Sequence, residues 1–269
     1  MNTVSHRLDD IVSAEPGASF ADSVRIMAET VQSHPALDNR FYNRWMDRRL
    51  RPDQVELLAV NFSAWTAPTV VRIAVALANM TDGRSRFETV HNLQDELGGG
   101  DFNSNHVLLL RRFFDWFLGG LYGREFRLDE SRAEVLPATR RLNEGAMELF
   151  ADQRPPVAAG ALLAQEWHAY PQLVNLYEGV RNYKDLFDLY EFHENCGYYY
   201  IHIGEAEKEH KEQSIISAAR CCRDVRDLQL LKKGFYGVLD LLSCFWDDLY
   251  EAIVSAEQDG SPSGGRNAA

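Results

Sequence analysis

The sequence has few cysteines and fewer basic than acidic residues, and these deficits exclude several classes of protein. Its 269 residues include four cysteines, Cys196, Cys221, Cys222 and Cys244, without the paired spacing of a zinc site. We therefore expect buried thiols rather than a disulfide framework. The 40 acidic residues outnumber the 28 basic ones and give a net charge of -12, which disfavours nucleic acid or an anionic membrane surface as the partner.

The sequence also lacks a long apolar run and a signal peptide. Residues 1–20 have neither the basic region nor the apolar core of a signal peptide. No apolar run approaches the roughly 20 residues that are needed to span a bilayer. We therefore predict a cytoplasmic protein that does not associate with a membrane. Because 45% of the residues are hydrophobic, the chain can bury a substantial core.

Apolar residues recur at three- and four-residue steps along most of the chain, and no stretch alternates convincingly like a strand. This pattern predicts an all-α bundle of about seven to nine helices. The most apolar helix is expected over residues 53–80, with a kink at Pro68. Further helices are predicted over residues 85–97, 104–118, 130–151, 157–183, 186–219 and 224–256. A single helical-bundle domain is predicted over residues 19–257, between a flexible N-terminus, residues 1–18, and a disordered tail, residues 258–269.

The stretch NLQDELGGGDFNSNH, residues 92–106, joins two predicted helices through three consecutive glycines. Glycine tolerates the left-handed conformation of a helix C-cap, so the first helix ends there, and Asn103 or Ser104 can cap the next. Glu96 then lies in the last turn of one helix and His106 in the first turn of the next, where both can face a shared cavity. A carboxylate near a helix C-terminus is unfavourable by about a few tenths of a kcal/mol, which a bound cation would offset. The alternative is that both are ordinary solvated residues.

A second group of candidate metal ligands lies in the stretch YYYIHIGEAEKEHKEQ. Its histidines and carboxylates suit iron, manganese or zinc. In a regular helix His202 and Glu207 lie about 140° apart, whereas one extra residue in a π-bulge would bring them within roughly 40° of each other and near His210. Without a bulge, the shared face is formed by His202, Glu205 and Glu209. The stretch can also be a solvated helix with Glu–Lys pairs.

Carboxylates elsewhere in the chain provide further candidates. Glu166 interrupts an apolar helix, and a buried carboxylate is unfavourable unless it is paired or binds a metal. Glu166 is therefore a candidate ligand, with an ion pair to an arginine as the alternative and Glu178 as a competing carboxylate on the same helix. Glu88 and His91 form another alternative, because Glu-x-x-His is the ligand spacing of ferritin-like diiron proteins.

The chain resembles the haem-oxygenase-like diiron oxidases and oxygenases, also described as iron-containing redox enzymes. Residues 92–106 match the pattern N-L-x-D/E-E-x-G-G-G-D of that family, with a histidine ten positions after the second acid. The family closes with H-x-x-x-D-x-x-H, whereas His202 and His210 are eight residues apart in this sequence. The resemblance implies a haem-oxygenase-like helical bundle with the metal ligands Glu96, His106, Glu166, His202, Glu207 and His210.

The resemblance further implies a non-haem, iron-dependent oxidase or oxygenase with a diiron Fe(II)/Fe(III) cofactor. Glu96 and His106 would bind one iron, while His202 and His210 would contribute to the other iron or complete a mononuclear site. Glu166 and Glu207 would bridge or chelate the metal. The expected partners are dioxygen and a small amino-acid-like or fatty-acid-like metabolite. The reactions that the resemblance implies are N-oxygenation, oxidative decarboxylation or C–C cleavage. A homodimer is compatible with the resemblance. The fold does not choose among these reactions. The alternatives are a metal-free binding protein or cofactor-independent enzyme of the same fold, and a helical interaction protein.

Overall fold

We describe residues 20–203 and 206–259 of a computed structural model of the chain, with the backbone alone for residues 206–210 and 256–259. Every regular element in these residues is helical, which confirms the all-α prediction. The α-helices, in chain order, are α1 (Phe20–Glu29), α2 (Arg40–Asp47), α3 (Pro52–Thr66), α4 (Thr69–Asn79), α5 (Gly83–Glu96), α6 (His106–Tyr122), α7 (Pro137–Phe150), α8 (Pro155–Arg181), α9 (Leu189–Asn195), α10 (Gly197–Ile203), α11 (Ala206–Arg220) and α12 (Val225–Asp259). The predicted flexible residues 1–18, and the predicted tail after Asp259, lie outside the described residues.

Short breaks divide two of the predicted helices. Ala67 and Pro68 separate α3 from α4, where a kink was expected, because proline lacks the N–H that would continue the helix. The helix predicted over residues 186–219 breaks at Cys196, between α9 and α10. These breaks, together with the unpredicted helices α1 and α2, raise the number of described helices above the prediction.

The helix predicted over residues 130–151 begins only at Pro137. Proline fits the first turn of a helix, where its missing N–H would have no helical partner. It also disfavours the helical conformation in the residue before it, Leu136, which is extended. The predicted start at residue 130 was wrong because the apolar periodicity extends to residues before Pro137, where proline sets the start of the helix.

Helices α8 and α12 form the centre of the bundle, with their backbones in close contact. A Cβ atom at Gly160 would lie 2.0 Å from the carbonyl oxygen of Leu231, and one at Gly234 would lie 1.9 Å from that of Val157. Only glycine allows so close an approach. Six further helices, α1, α2, α4, α7, α10 and α11, pack against α8. The core is therefore continuous around the helix that carries Glu166.

Residues Pro52–Asn79 have the length and the mean hydropathy, 1.2, of a candidate membrane span. The stretch is divided between α3 and α4, and Phe62, Trp65 and Ile73 are buried inside the bundle. A core helix meets the same criteria of length and composition, so the stretch agrees with the helical bundle. A cytoplasmic location stays a prediction.

The cysteines are free thiols, as predicted. Cys196 and Cys222 are buried, and burial raises the pKa of each to about 12. Cys221 is half-buried and Cys244 is exposed, so the expectation of burial was wrong for Cys244.

Candidate metal centre

Three glycines with a left-handed backbone reverse the chain between α5 and α6. Gly98 and the two glycines after it have φ angles of 100°, 61° and 103°. A Cβ atom at Gly98 would lie 2.2 Å from the carbonyl oxygen of Asp101, so the turn also needs glycine there for space. The reversal places Glu96, the last residue of α5, beside His106, the first residue of α6, as predicted.

The N-terminal cap of α6 differs from the expected one. Asp101 caps a 3-10 turn, Phe102–Ser104, with its side chain. Asn105, rather than Asn103 or Ser104, then caps α6 by accepting hydrogen bonds from two N–H groups of the first turn. The predicted caps were wrong because residues 102–104 form a short helix of their own before α6 begins.

Replacing Gly98 by alanine is expected to destabilise the protein by about 3 kcal/mol, because the left-handed backbone and the overlap with Asp101 both oppose a Cβ atom. Gly99→Asn is the matched control, since a Cβ at Gly99 meets nothing within 4 Å and asparagine tolerates its φ of 61°. Urea unfolding of both variants measures the difference. An equal loss of stability in the two variants would contradict the role given to Gly98.

His202 of α10 joins the pair at the turn. Glu96 Oε2 lies 3.2 Å from His106 Nδ1, and the two side chains are 19% and 18% exposed. The rings of His106 and His202 meet edge to face with their centroids 4.5 Å apart. One candidate ligand atom from each of the three residues lies within 4.8 Å of the other two. Two helices that follow one another in the chain, α5 and α6, and the distant helix α10 therefore bring a carboxylate and two imidazoles together.

The nitrogen atoms of the two histidines have different surroundings. Nδ1 of His106 is buried and, despite its 3.2 Å distance from Glu96, has no hydrogen-bond partner of acceptable geometry in the described structure. Nδ1 of His202 lies 2.7 Å from the carbonyl oxygen of Tyr198 and donates to it as an N–H. This hydrogen bond selects the tautomer of His202 in which Nε2 carries the lone pair.

The electrostatic surroundings favour the ionised form of Glu96. Burial raises the pKa of the Glu96 carboxyl, but the neighbouring His106, His202 and Arg72 outweigh that effect, so the pKa lies below its usual value. The carboxylate is therefore ionised at neutral pH. An ionised carboxylate beside two imidazole nitrogens is a donor set for a divalent metal ion.

The three residues line a cavity of about 260 Å³, which we call the site cavity. Glu166 of α8 lines it too, so the structure brings this predicted ligand to the same place. The carboxylate of Glu166 is half-buried and accepts a hydrogen bond of 2.8 Å from Nδ2 of Asn92. Glu166 and Asn92 also line a neighbouring cavity of about 480 Å³, so they form part of the wall between the two cavities.

Two predicted ligands lie where side chains are not described. Glu207 and His210 belong to the first turns of α11, for which only the backbone is described. The proposed π-bulge falls between α10 and α11, at residues 204–205, which lie outside the described residues, as does Glu205. The assignment of Glu207 and His210 as ligands stays a prediction.

The competing carboxylates lie elsewhere. Glu88 pairs with Arg84 at 3.0 Å, and His91 is exposed and packs against the ring of Phe87. Both Glu88 and His91 line the neighbouring cavity, away from the pair at the turn. Glu178 pairs with Arg181 at 2.8 Å on the surface. The structure therefore favours the glycine turn over the Glu-x-x-His alternative.

The sequence analysis missed several polar residues of the site cavity, among them Arg72, Gln165 and His168. Arg72 is a lone charge in the apolar stretch TVVRIAVAL, and this contrast is the signal that could have identified it. Gln165 and His168 flank Glu166 in the polar run QEWH within an apolar helix. Burial lowers the pKa of His168 to about 4, so its ring is neutral at pH 7.

Solved structures resemble this fold closely at low sequence identity. A CADD-like protein of unknown function from Nostoc punctiforme PCC 73102 has a TM-score of 0.67 and 16% identity, with 88% of this chain and 97% of that chain covered. A TenA homolog from Pseudomonas syringae pv. tomato has a TM-score of 0.68 and 13% identity, with 89% and 95% covered. A domain with a haem-oxygenase-like fold from Shewanella denitrificans OS217 has a TM-score of 0.64 and 14% identity, with 98% and 100% covered. The bundle therefore has the haem-oxygenase-like fold.

Sequence comparison gives the family as well as the fold. Among curated proteins, none matches the sequence significantly. Residues 54–242 match the protein family described as iron-containing redox enzyme. This match spans α3 to α11 and the first half of α12, and it includes the glycine turn and all three residues of the Glu96, His106 and His202 cluster. The chain therefore belongs to the family of iron-containing redox enzymes.

Proposed function

We propose that the protein is a non-haem, iron-dependent oxidase or oxygenase that acts on a small amino-acid-like or fatty-acid-like metabolite. The observation that carries the proposal is the convergence of Glu96, His106 and His202 at the wall of the site cavity. Two histidines and one carboxylate, with further positions open, are the ligand set typical of non-haem Fe(II) oxygenases. Membership of the iron-containing redox enzyme family supports the same metal.

The donor atoms of the cluster are better placed to bind a shared metal ion than to form hydrogen bonds with one another. The buried Nδ1 of His106 and the ionised carboxylate of Glu96 are close but not aligned for a hydrogen bond, and a shared cation would give both a partner. The hydrogen bond from His202 to the Tyr198 carbonyl orients the ring and directs its lone pair to Nε2, as in other metal-binding histidines. Glu96, His106 and His202 would therefore hold an iron ion.

When bound, iron would supply the one-electron redox chemistry that dioxygen requires. The residues of the chain would prepare the site for it. The neighbours of Glu96 keep burial from raising the pKa of its carboxyl, so Glu96 can bind a cation at neutral pH without first losing a proton. Phe62, Leu110 and Leu173 line the cavity and exclude water from the substrate.

A second, weaker iron position is part of the proposal. Glu166 lines the same cavity, and its hydrogen bond from Asn92 orients the carboxylate. Glu207 and His210 would complete that position together with Glu166. The irregular spacing of His202 and His210 is the reason to expect the weaker affinity. Dioxygen and one small-molecule substrate would be the partners of the enzyme, without nucleic acid or a membrane.

Anaerobic titration with Fe(II), followed by exposure to dioxygen, tests this function. We expect saturable Fe(II) binding, then dioxygen consumption in proportion to the bound iron, measured with an oxygen electrode. Protein loaded with Zn(II) is the control and should consume none, because zinc has no accessible redox change. Failure to bind Fe(II) would remove the oxygenase proposal and favour a metal-free binding protein. Binding without dioxygen consumption, in the presence of a broad metabolite mixture, would contradict the catalytic part.

A further inference from the structure

The site cavity contains a buried cation that no carboxylate neutralises by direct contact. Arg72 of α4 is only 1% exposed, and it forms no ion pair among the described residues. Glu96 acts on it only through its charge at longer range. Burial lowers the pKa of the guanidinium to about 9, so Arg72 is still charged at neutral pH. Buried arginines are ordinarily paired with an anion, and this one lines a cavity instead.

Neutral groups hold the guanidinium of Arg72 in place. Nη1 and Nη2 both donate to the carbonyl oxygen of Trp65 at 3.1 Å, and they donate further to Asn143 Oδ1 and Thr69 Oγ1. The guanidinium carbon lies 3.7 Å from the centre of the Trp65 ring. These contacts account for four of the five N–H groups, and the remaining Nε–H is buried without a partner in the described structure. The guanidinium of Arg72 is therefore held in a fixed orientation before any ligand binds, and its Nε–H is the donor without a partner.

An unused acceptor lies in the same cavity. Gln165 of α8 is 8% exposed, and its Oε1 is buried with no hydrogen-bond donor in the described part of the protein. His168, one turn further along, donates Nδ1–H to the carbonyl oxygen of Ala164 at 2.7 Å and is neutral at pH 7, so its Nε2 is an acceptor. Arg72 and Gln165 thus line the same cavity of about 260 Å³, and each carries a buried polar atom without a partner in the described structure.

We infer that Arg72 and Gln165 bind the head group of a carboxylate ligand that carries a hydrogen-bond donor beside its carboxylate, such as an α-amino or α-hydroxy acid. The ligand carboxylate supplies the anion that Arg72 lacks, in a charge-assisted hydrogen bond to Nε–H. The adjacent amino or hydroxyl group donates to Oε1 of Gln165. The apolar side chain of the ligand packs against Phe62, Leu110 and Leu173.

This inference deepens the proposed function, because it selects amino-acid-like over fatty-acid-like metabolites as substrates. It concerns binding, however, and does not require iron. An unsubstituted fatty acid would satisfy Arg72 but would leave Gln165 Oε1 buried and unpaired, which opposes its binding. A carboxamide would leave the charge of Arg72 without an anion.

Calorimetric titration of the metal-free protein with matched ligands tests the inference. The standard amino acids and their α-hydroxy analogues are screened first, and the best binder is then compared with two analogues, one without the α-substituent and one with a primary amide in place of the carboxylate. For leucine these are 4-methylpentanoate and leucinamide. We expect the parent ligand to bind at least about tenfold more tightly than either analogue. No binding in the screen, or equal affinity for all three ligands, would overturn the inference.

Two variants separate recognition from a general structural effect. Gln165→Leu is expected to abolish the preference for the α-substituted ligand while keeping the preference for carboxylate over amide. Arg72→Lys is expected to reduce the preference for carboxylate, and Arg84→Lys on the protein surface is its matched control. An equal weakening of all ligands by Gln165→Leu would overturn the role of Gln165. If Arg72→Lys does not fold, the ligand comparison on the unmodified protein still decides the role of the cation.

Fe(II) titration of the same preparations distinguishes the two proposals. Fe(II) binding with no selective ligand binding overturns the role of Arg72 and Gln165 and leaves the iron site intact. Selective ligand binding without Fe(II) binding supports the head-group site and removes the oxygenase proposal.

Discussion

Replacing His202 by alanine is expected to weaken Fe(II) binding at the tighter site by at least about 100-fold. The reason is that the variant removes one of three protein ligands, and even the loss of an outer hydrogen-bond partner of a ligand costs 10- to 100-fold in affinity. Glu96→Ala and His106→Ala should have effects of similar size, because all three donor atoms lie within 4.8 Å of one another. Anaerobic titration with a competing chromogenic chelator measures the change.

His91→Ala is the matched control for these variants. His91 also lies on α5, but it is exposed and packs against Phe87, away from the cluster. Its replacement should leave the Fe(II) affinity unchanged. If His91→Ala abolished binding while His202→Ala did not, the metal site would lie at Glu88 and His91 in the neighbouring cavity, and the assignment to the glycine turn would be wrong.

Replacing Gly234 by valine is expected to prevent the native packing of α8 against α12 or to lower the melting temperature by on the order of 10 °C. Even the Cβ atom alone would lie 1.9 Å from the carbonyl oxygen of Val157, so the two helices would have to separate. Overpacking of a core ordinarily costs about 1–3 kcal/mol, and an overlap with backbone is at the upper end because a carbonyl cannot rotate away. Thermal unfolding followed by circular dichroism at 222 nm, where helices absorb, measures the effect.

Gly83→Ala is the control for Gly234→Val, because it also replaces a helical glycine by a residue with a side chain. A Cβ atom at Gly83 meets nothing within 4 Å, so this replacement should change the stability by less than about 0.5 kcal/mol. A similarly small effect for Gly234→Ala and Gly234→Val would show that α8 and α12 are further apart than the structure places them.

Local features of the site could be predicted from the sequence because neighbouring residues control them. The glycines at positions 98–100 permit the left-handed backbone of a chain reversal, and that reversal places Glu96 next to His106. Proline likewise sets the break at Pro68 and the first residue of α7 at Pro137. The second of these was missed only because apolar periodicity was given more weight than proline.

The composition of the site cavity could not be predicted in the same way. The sequence suggested that His202 belongs with His210 or completes a single-metal site, and the structure places His202 against His106. Arg72 and Gln165 lie on different helices, and nothing in either stretch indicates that they share a cavity. The choice between Glu96 with His106 and Glu88 with His91 was open for the same reason, since both pairs have plausible local spacing.

By itself the sequence determined an all-α fold, a candidate metal-ligand pair at a glycine turn and a candidate carboxylate at Glu166, because helical periodicity and turn conformation depend on residues a few positions apart. The tertiary structure alone placed His202 beside that pair and brought Arg72 and Gln165 to the lining of the same cavity. The distances between these residues depend on how closely the helices approach one another. That approach is set in turn by side-chain volume and by glycine at contacts such as Gly160 with Leu231, which lie far apart in sequence.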